Sequence, residues 1–377
     1  MGVQRDDSVA RQNEPCDNDI FFFATLLVVA CHTDDIMPRE SQSFLVRFFG
    51  GAFSDANVCN FFFLSGFLLA RHFGEIGWWK KAITSRIRSL AIPYIAWCVL
   101  YFLTSGKLGL FIGEIGSAFT AADGGLMPAV IVLARIIRRG FGVGFLTAPY
   151  DFALWYIKTL FYFVLVASVA LPVVLATKRR FLGCLGIVLA FFVLGHGLHL
   201  SIMPYFGFCF HLLGFAAFLS GAYCATHGIL DLPDSLMRTS PIVPLVLWLI
   251  VSLIYITISP EIKGGVALLG PVNIAISMLC LVWISFTVNW RIPESVSKCS
   301  FFIYAAHLMV LRVQLCFLPP GSLNRAGSFL MFVVYLSGAI AICIGLAHAT
   351  SRICPQVASV LSGGRIERIS KCNGSKK

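Results

Sequence analysis

Charged side chains are scarce in this chain of 377 residues, since Asp, Glu, Lys and Arg together make up 12% of it and hydrophobic residues 58%. Soluble globular domains typically carry about 25% charged residues, so the composition excludes that class. The mean hydropathy of +0.84 agrees. The sequence therefore predicts an all-α, polytopic membrane protein whose surroundings are a lipid bilayer.

Acidic residues are fewer than basic ones, and the formal net charge is +11. The cations stand in short connectors between apolar runs, as the positive-inside rule describes, so we expect no nucleic acid partner. The thirteen cysteines lack the spacing of zinc ligands, and most fall within apolar runs. We interpret them as small buried hydrophobic residues and expect no metal, bound cofactor or disulfide framework.

No segment of one half of the chain is repeated in the other, which weakens the case for an inverted-repeat transporter. Apolar runs of about 20 residues, or fewer where a helix is short, can cross a bilayer. On that criterion the chain forms a bundle of about ten transmembrane helices. These are expected near residues 20–33, 56–71, 90–105, 152–175, 181–197, 206–225, 242–259, 266–288, 300–317 and 328–349.

Lys and Arg are concentrated in the connectors of one side, and this bias favours cytoplasmic termini. The predicted parts are a cytoplasmic tail (1–18), a membrane domain (19–349) and a basic cytoplasmic tail (350–377). We expect the protein in the inner, or plasma, membrane. His32 then lies at the extracytoplasmic end of the first helix.

An unbroken apolar run from Ile20 ends at His32, with Asp34 and Asp35 close behind. Imidazole exchanges protons near neutral pH, and an ionisable group at membrane depth is a candidate for function. Either aspartate could orient the ring or raise its basicity. We therefore predict His32, Asp34 and Asp35 as catalytic residues.

Two further segments have structural interpretations. Ser65-Gly66 in the second span would allow close helix packing, with the hydroxyl bonded to another helix, and packing is favoured over catalysis. Pro128 to Arg139, in the long connector, suits a helix lying in the membrane interface. That helix is either a simple anchor or an element that binds the acceptor.

Four cations, Lys80, Lys81, Arg86 and Arg88, follow Trp78-Trp79 at the predicted cytoplasmic face. They could bind lipid phosphates or the phosphates of a nucleotide-bearing donor, or they could simply anchor the chain.

Other ionisable groups fall in or beside the predicted spans, where they would face the bundle interior, lie in the interface, or bond to neighbouring helices. They are Lys158, His196, His199, His211, His307 and Arg312.

Several segments together resemble the acyltransferase-3 family of integral-membrane acyltransferases. The family pattern has a histidine closing the first helix, Phe-Phe-x-x-Ser-Gly-Phe, and a basic run into Pro-Tyr-x-x-Trp. It continues with Leu-Trp-Phe-Leu-x-x-Leu and a late Tyr-x-x-His helix. The matching segments are His32, Phe62 to Phe67, Arg86 to Trp97, Leu154 to Leu160 and Phe302 to Leu308.

The resemblance implies a membrane O-acyltransferase domain over 19–349, without an appended esterase-like domain. The co-substrate that the resemblance implies is cytosolic acyl-CoA, commonly acetyl-CoA in this family. The acceptor would be a hydroxyl of a cell-surface or exported glycan or lipid-linked sugar. The resemblance makes His32 catalytic, as general base or acyl carrier, and Arg86, with Arg88, a donor-binding pair.

Two positions depart from the family pattern. Many members have an arginine eleven residues before the histidine, where this chain has Phe21, and Ser89 stands at the family's second basic-segment arginine. Two alternatives therefore stay open beside the enzyme. One is a transporter or flippase of a lipid-linked glycan, and the other is an inactive member that acts as a binding protein.

Overall fold

The computed structural model describes residues 17–38, 42–52, 57–71, 73–120, 126–142, 149, 151–197, 205–227, 240, 242–258, 272–277, 279–281, 283–284, 292–319 and 325–366. These residues are mainly helical, and no strand occurs among them. This confirms the all-α prediction. It also follows from the composition, because a chain in hydrocarbon must satisfy its backbone polar groups internally.

The helices are numbered α1 to α12 along the chain. The first half contains α1 (Asp17–Ile36), α2 (Asn57–Ala70), α3 (Trp78–Thr104), α4 (Lys107–Thr120), α5 (Leu126–Gly140) and α6 (Trp155–Val174). The second half contains α7 (Lys178–Gly197), α8 (Tyr205–His227), α9 (Ile242–Ile258), α10 (Ser300–Phe317), α11 (Arg325–Ile353) and α12 (Pro355–Ser362). A π-helical stretch, Ile87–Ala91, interrupts α3.

Four helical segments are long and apolar enough to cross a membrane, namely Trp78–Thr104, Phe152–Val174, Ser300–Phe317 and Gly327–Ile353. Shorter apolar helices include Val58–Ala70 and Ile242–Ile258. Most of the predicted segment 266–288 lies outside the described residues, so the count of ten helices stays a prediction. The membrane class itself is supported by these four segments.

The connector between residues 106 and 151 contains two helices, α4 and α5. The second was predicted from Pro128 to Arg139 and runs from Leu126 to Gly140. Pro128 stands in its first turn, where the missing N–H costs no helical hydrogen bond. The helix α4 was not predicted.

Helices α2 and α8 pack with their backbones in close approach. A Cβ atom on Gly66 would lie 2.0 Å from the Phe218 carbonyl oxygen, and one on Gly221 would lie 1.9 Å from that of Phe63. The Ser65 hydroxyl bonds the Tyr156 hydroxyl of α6 at 2.9 Å. The packing interpretation of Ser65-Gly66 is therefore confirmed, and the contact fixes α2 between α6 and α8.

We expect Gly66→Ala and Gly221→Ala to lower the thermal unfolding midpoint in detergent, because the new methyl group overlaps a backbone carbonyl. Overpacking of this kind costs about 1–3 kcal/mol. Gly183→Ala on α7 is the matched control, since nothing lies within 4 Å of its Cβ position. Equal midpoints for the three variants would show that α2 and α8 do not pack as described.

Candidate active site

His32 lies near the end of α1 and is hydrogen-bonded to Asp35, with 3.1 Å between Nδ1 and Oδ2. Residues three apart share one helix face, which explains why Asp35 rather than Asp34 reaches the ring. The Nδ1–H donates to the carboxylate, so Nε2 of a neutral His32 carries the lone pair. That nitrogen has the form a general base requires.

Asp34 points to a different neighbour. A Cβ atom on Gly50 would lie 2.3 Å from the Asp34 Cβ, so Asp34 packs against the π-helical segment Arg47–Ala52. Its backbone carbonyl accepts a hydrogen bond from Gln42 Nε2 at 3.1 Å. The structure therefore separates the two aspartates by environment.

A second histidine, His307 of α10, is fully buried beside His32, with 5.2 Å between the ring centroids. Its Nδ1 lies 2.6 Å from the Tyr304 carbonyl oxygen and 3.2 Å from that of Ile303. Both partners can only accept, so Nδ1 carries the proton and Nε2 is an acceptor. Among the described residues this buried Nε2 has no hydrogen-bond partner.

Asp151, at the end of the long connector, is a site residue that the sequence did not predict. It is 1% exposed, and neither carboxylate oxygen has a hydrogen-bond partner of normal geometry in the described part of the chain. Burial raises its pKa from 3.8 to about 7, while the Ala153 backbone N–H and the charges of Arg312 and His32 act in the opposite direction. Asp151 therefore interacts electrostatically with the catalytic histidine candidate.

Arg312 of α10 lies near the same carboxyl group. Its Nη1 donates to the Tyr101 hydroxyl of α3, and the guanidinium carbon lies 5.1 Å from the centroid of that ring. These contacts tie α3 to α10 beside Asp151. The arrangement adds a cation near Asp151.

Aromatic rings surround this group of residues. Phe152 meets the His32 ring edge-on at 6.5 Å, and the Tyr304 hydroxyl donates to the Ala153 carbonyl oxygen. Tyr304 lies 5.8 Å from Tyr156, measured between ring centroids. The histidine pair is thus bordered by aromatic rings from the Phe152–Leu154 turn and from α10.

The predicted donor-binding residues lie in a different part of the bundle. Arg86 is half-buried and interacts electrostatically with the Tyr156 hydroxyl, whereas Arg88 is exposed. The π-helical stretch that begins at Ile87 follows directly after Arg86. Of the two arginines, only Arg86 reaches toward the interior.

Two other predicted polar groups, Lys158 and His211, have hydrogen-bond partners. Lys158 Nζ donates to the Gly142 carbonyl oxygen at 3.2 Å, and His211 Nε2 bonds the Thr159 hydroxyl at 2.9 Å. The side chains of His196 and His199 lie outside the described residues. In the described part of the chain, no three His, Cys, Asp or Glu side chains converge to hold a metal ion.

A protein-family model described as an acyltransferase domain, of the acyltransferase-3 type, matches residues 22–348. The chain belongs to the acyltransferase-3 family. Neither the curated proteins nor the solved structures include a significant match. The match begins within α1 and ends within α11, and so includes His32, Asp35, Asp151 and His307.

We expect Asp151 to make the protein less stable as the pH rises from about 4 to about 7. Its pKa in the folded chain is above its ordinary value, so the folded state binds more protons in this range, and stability falls as those protons leave. The check is the thermal unfolding midpoint in detergent against pH. Asp151→Asn should flatten this decline, whereas Glu114→Gln, which removes an exposed carboxyl group, should not.

Proposed function

We propose that this protein transfers an acyl group from cytosolic acyl-CoA to a hydroxyl group of a cell-surface or exported glycan, with acetyl as the first candidate for the acyl group. Family membership supports a membrane acyltransferase. The observation that carries the assignment of the site is the hydrogen-bonded pair His32–Asp35 in contact with the buried His307. The proposal includes location in the inner membrane with both termini in the cytoplasm.

In the proposed reaction, His32 Nε2 removes the proton from the acceptor hydroxyl as its oxygen attacks the thioester carbonyl. Asp35 holds Nδ1–H and stabilises the imidazolium that forms. The new C–O bond forms, the C–S bond breaks, and the proton on His32 passes to the departing CoA thiolate. A variant of this scheme has His32 carry the acyl group transiently.

His307 offers a second acceptor nitrogen within the same group of rings. A hydroxyl that donates to His307 Nε2 would satisfy a buried atom that otherwise lacks a partner, and such satisfaction is worth more than an exposed hydrogen bond. We assign His307 the role of orienting the acceptor. Arg86, with Arg88, is proposed to hold the donor phosphates.

Phe21 favours a second candidate function, that of an inactive member acting as a binding protein. At this position, where many family members have arginine, the Phe21 ring packs on Phe61 at 5.8 Å. An inactive protein would bind an acyl-CoA or glycan ligand without consuming the thioester. A flippase would move a lipid-linked glycan in vesicles that contain no acyl-CoA.

The first test measures transfer of labelled acetyl from acetyl-CoA to the glycan fraction of membranes. His32→Ala should lower the rate by about 100-fold or more, the usual contribution of a general base. His348→Ala on α11, outside the site, should retain the native rate at equal protein levels. Full activity of His32→Ala would disprove the assignment of His32.

The second test separates the two aspartates. Asp35→Asn should lower the transfer rate by about ten-fold, because the amide no longer stabilises a positive His32 ring as a carboxylate does. Asp34→Asn should have a smaller effect, because this side chain faces the segment Arg47–Ala52. The opposite ranking would assign the supporting role to Asp34.

A further inference from the structure

The segment after α11 folds back onto the bundle. Helix α12 packs against α3 and α10, and Trp97 Nε1 of α3 donates to the Leu361 carbonyl oxygen at 2.9 Å. Ile366, beyond the helix, is buried. Residues 350–366 of the predicted cytoplasmic tail are therefore ordered against helices that also form the candidate site, whereas 367–377 lie outside the described residues.

Gly363 ends α12 with a φ angle of +63°, a conformation that favours glycine. A Cβ atom there would lie 2.5 Å from the Ser89 carbonyl oxygen and 2.7 Å from Arg365 Nη1. The turn brings Arg365 Nη1 to 3.3 Å from the Ser89 oxygen and 2.9 Å from that of Ser362. The Arg365 guanidinium lies over the Phe301 ring of α10, at 4.6 Å.

Arg365 and Arg86 thus occupy the same region of the bundle. Both guanidinium groups interact electrostatically with the Tyr156 hydroxyl, and Arg365 bonds a carbonyl only three residues after Arg86. Within the described residues the Arg86 guanidinium has no hydrogen-bond or ion-pair partner, and the Ser89 hydroxyl is buried without one. Two cations and an unused hydroxyl donor suit an anionic ligand.

We infer that Arg365, supplied by the C-terminal segment, forms with Arg86 and Ser89 a binding site for the phosphate groups of the acyl-CoA donor. The inference rests on the proposed function and adds a residue that lies beyond the family match. Arginine binds phosphate oxygens with paired, charge-assisted hydrogen bonds. The same chemistry would also accept a phospholipid headgroup, so the experiment distinguishes the two sources.

The experiment compares two donors with the purified full-length protein in detergent, acetyl-CoA and the phosphate-free thioester S-acetyl-N-acetylcysteamine. Arg365→Gln should raise KM for acetyl-CoA by about ten-fold, the loss of one charge-assisted contact, and leave kcat nearly unchanged. KM for the phosphate-free thioester should stay the same. Arg365→Lys, which keeps the charge, should recover part of the affinity for acetyl-CoA.

Arg179→Gln is the matched control, because this exposed arginine on α7 is outside the site. An equal rise in KM for both thioesters would overturn the inference, because Arg365 would then have a structural role. The result would be different if phosphatidylglycerol stimulated the native protein but not Arg365→Gln. That exception would identify a lipid phosphate as the occupant. Unaltered kinetics of Arg365→Gln with acetyl-CoA would also overturn it.

Direct titration with coenzyme A separates this inference from the proposed function. If the native protein binds coenzyme A and Arg365→Gln binds it about ten-fold more weakly, the phosphate site stands even where no acetyl transfer is measured. If the native protein binds neither coenzyme A nor phosphatidylglycerol, the phosphate site is wrong. Equal binding by the native protein and Arg365→Gln overturns the inference while leaving the enzyme assignment intact.

Discussion

Polar side chains inside this bundle must find their partners within the protein, because hydrocarbon offers none. Many of those described bond a carbonyl oxygen of their own helix, as Thr25 and Thr33 do, and others join two helices. Ser65 on α2 bonds Tyr156 on α6, and His211 on α8 bonds Thr159 on α6. Helix α6 is therefore held from both sides, and it is this helix that directs Tyr156 toward the interior.

Several exceptions to this rule lie in the candidate site and in the proposed phosphate site. The Nε2 atom of His307, both carboxylate oxygens of Asp151 and the hydroxyl of Ser89 are buried without a hydrogen-bond partner of normal geometry in the described residues. A buried polar atom without a partner costs about 1–3 kcal/mol. A ligand that supplies the missing bonds removes this cost, so unpartnered atoms are binding candidates. Asn60 on α2 shares the property, and nothing in the structure explains it.

These groups form a connected series across the bundle. Arg86 and Arg365 both lie near enough to Tyr156 to interact with it electrostatically. The Tyr156 ring lies 5.8 Å from that of Tyr304. Tyr304 lies 6.1 Å from His307, and His307 lies 5.2 Å from His32. A donor with phosphates at one end and a thioester at the other would match the two ends of this series. In the proposed reaction, arginines at one end of the series would bind the phosphates and an imidazole at the other end would act as the base.

The sequence could predict those features that depend on local pattern. The apolar run located His32, the small residue at Gly66 indicated a close helix contact, and the amphipathic run predicted α5. Helix phase alone favours Asp35 over Asp34 as the partner of His32, because a spacing of three residues returns to the same face. The pairing of His32 with His307 could not be predicted, because it depends on how α1 meets α10. A role for Arg365 could not be predicted, because a basic terminal segment ordinarily indicates a solvated tail.

The replacement of the family arginine by Phe21 can be understood from the same contacts. Phe21 packs on Phe61, and the Phe61 carbonyl oxygen accepts a bond from the Tyr156 hydroxyl at 3.3 Å. The position of Phe21 therefore borders Tyr156, the residue that Arg86 and Arg365 also lie near. A third guanidinium here would add repulsion between like charges at a site where desolvation is already costly. If Arg86 and Arg365 supply the cations as proposed, Phe21 contributes packing in place of charge. Its presence then does not by itself identify the inactive member over the enzyme.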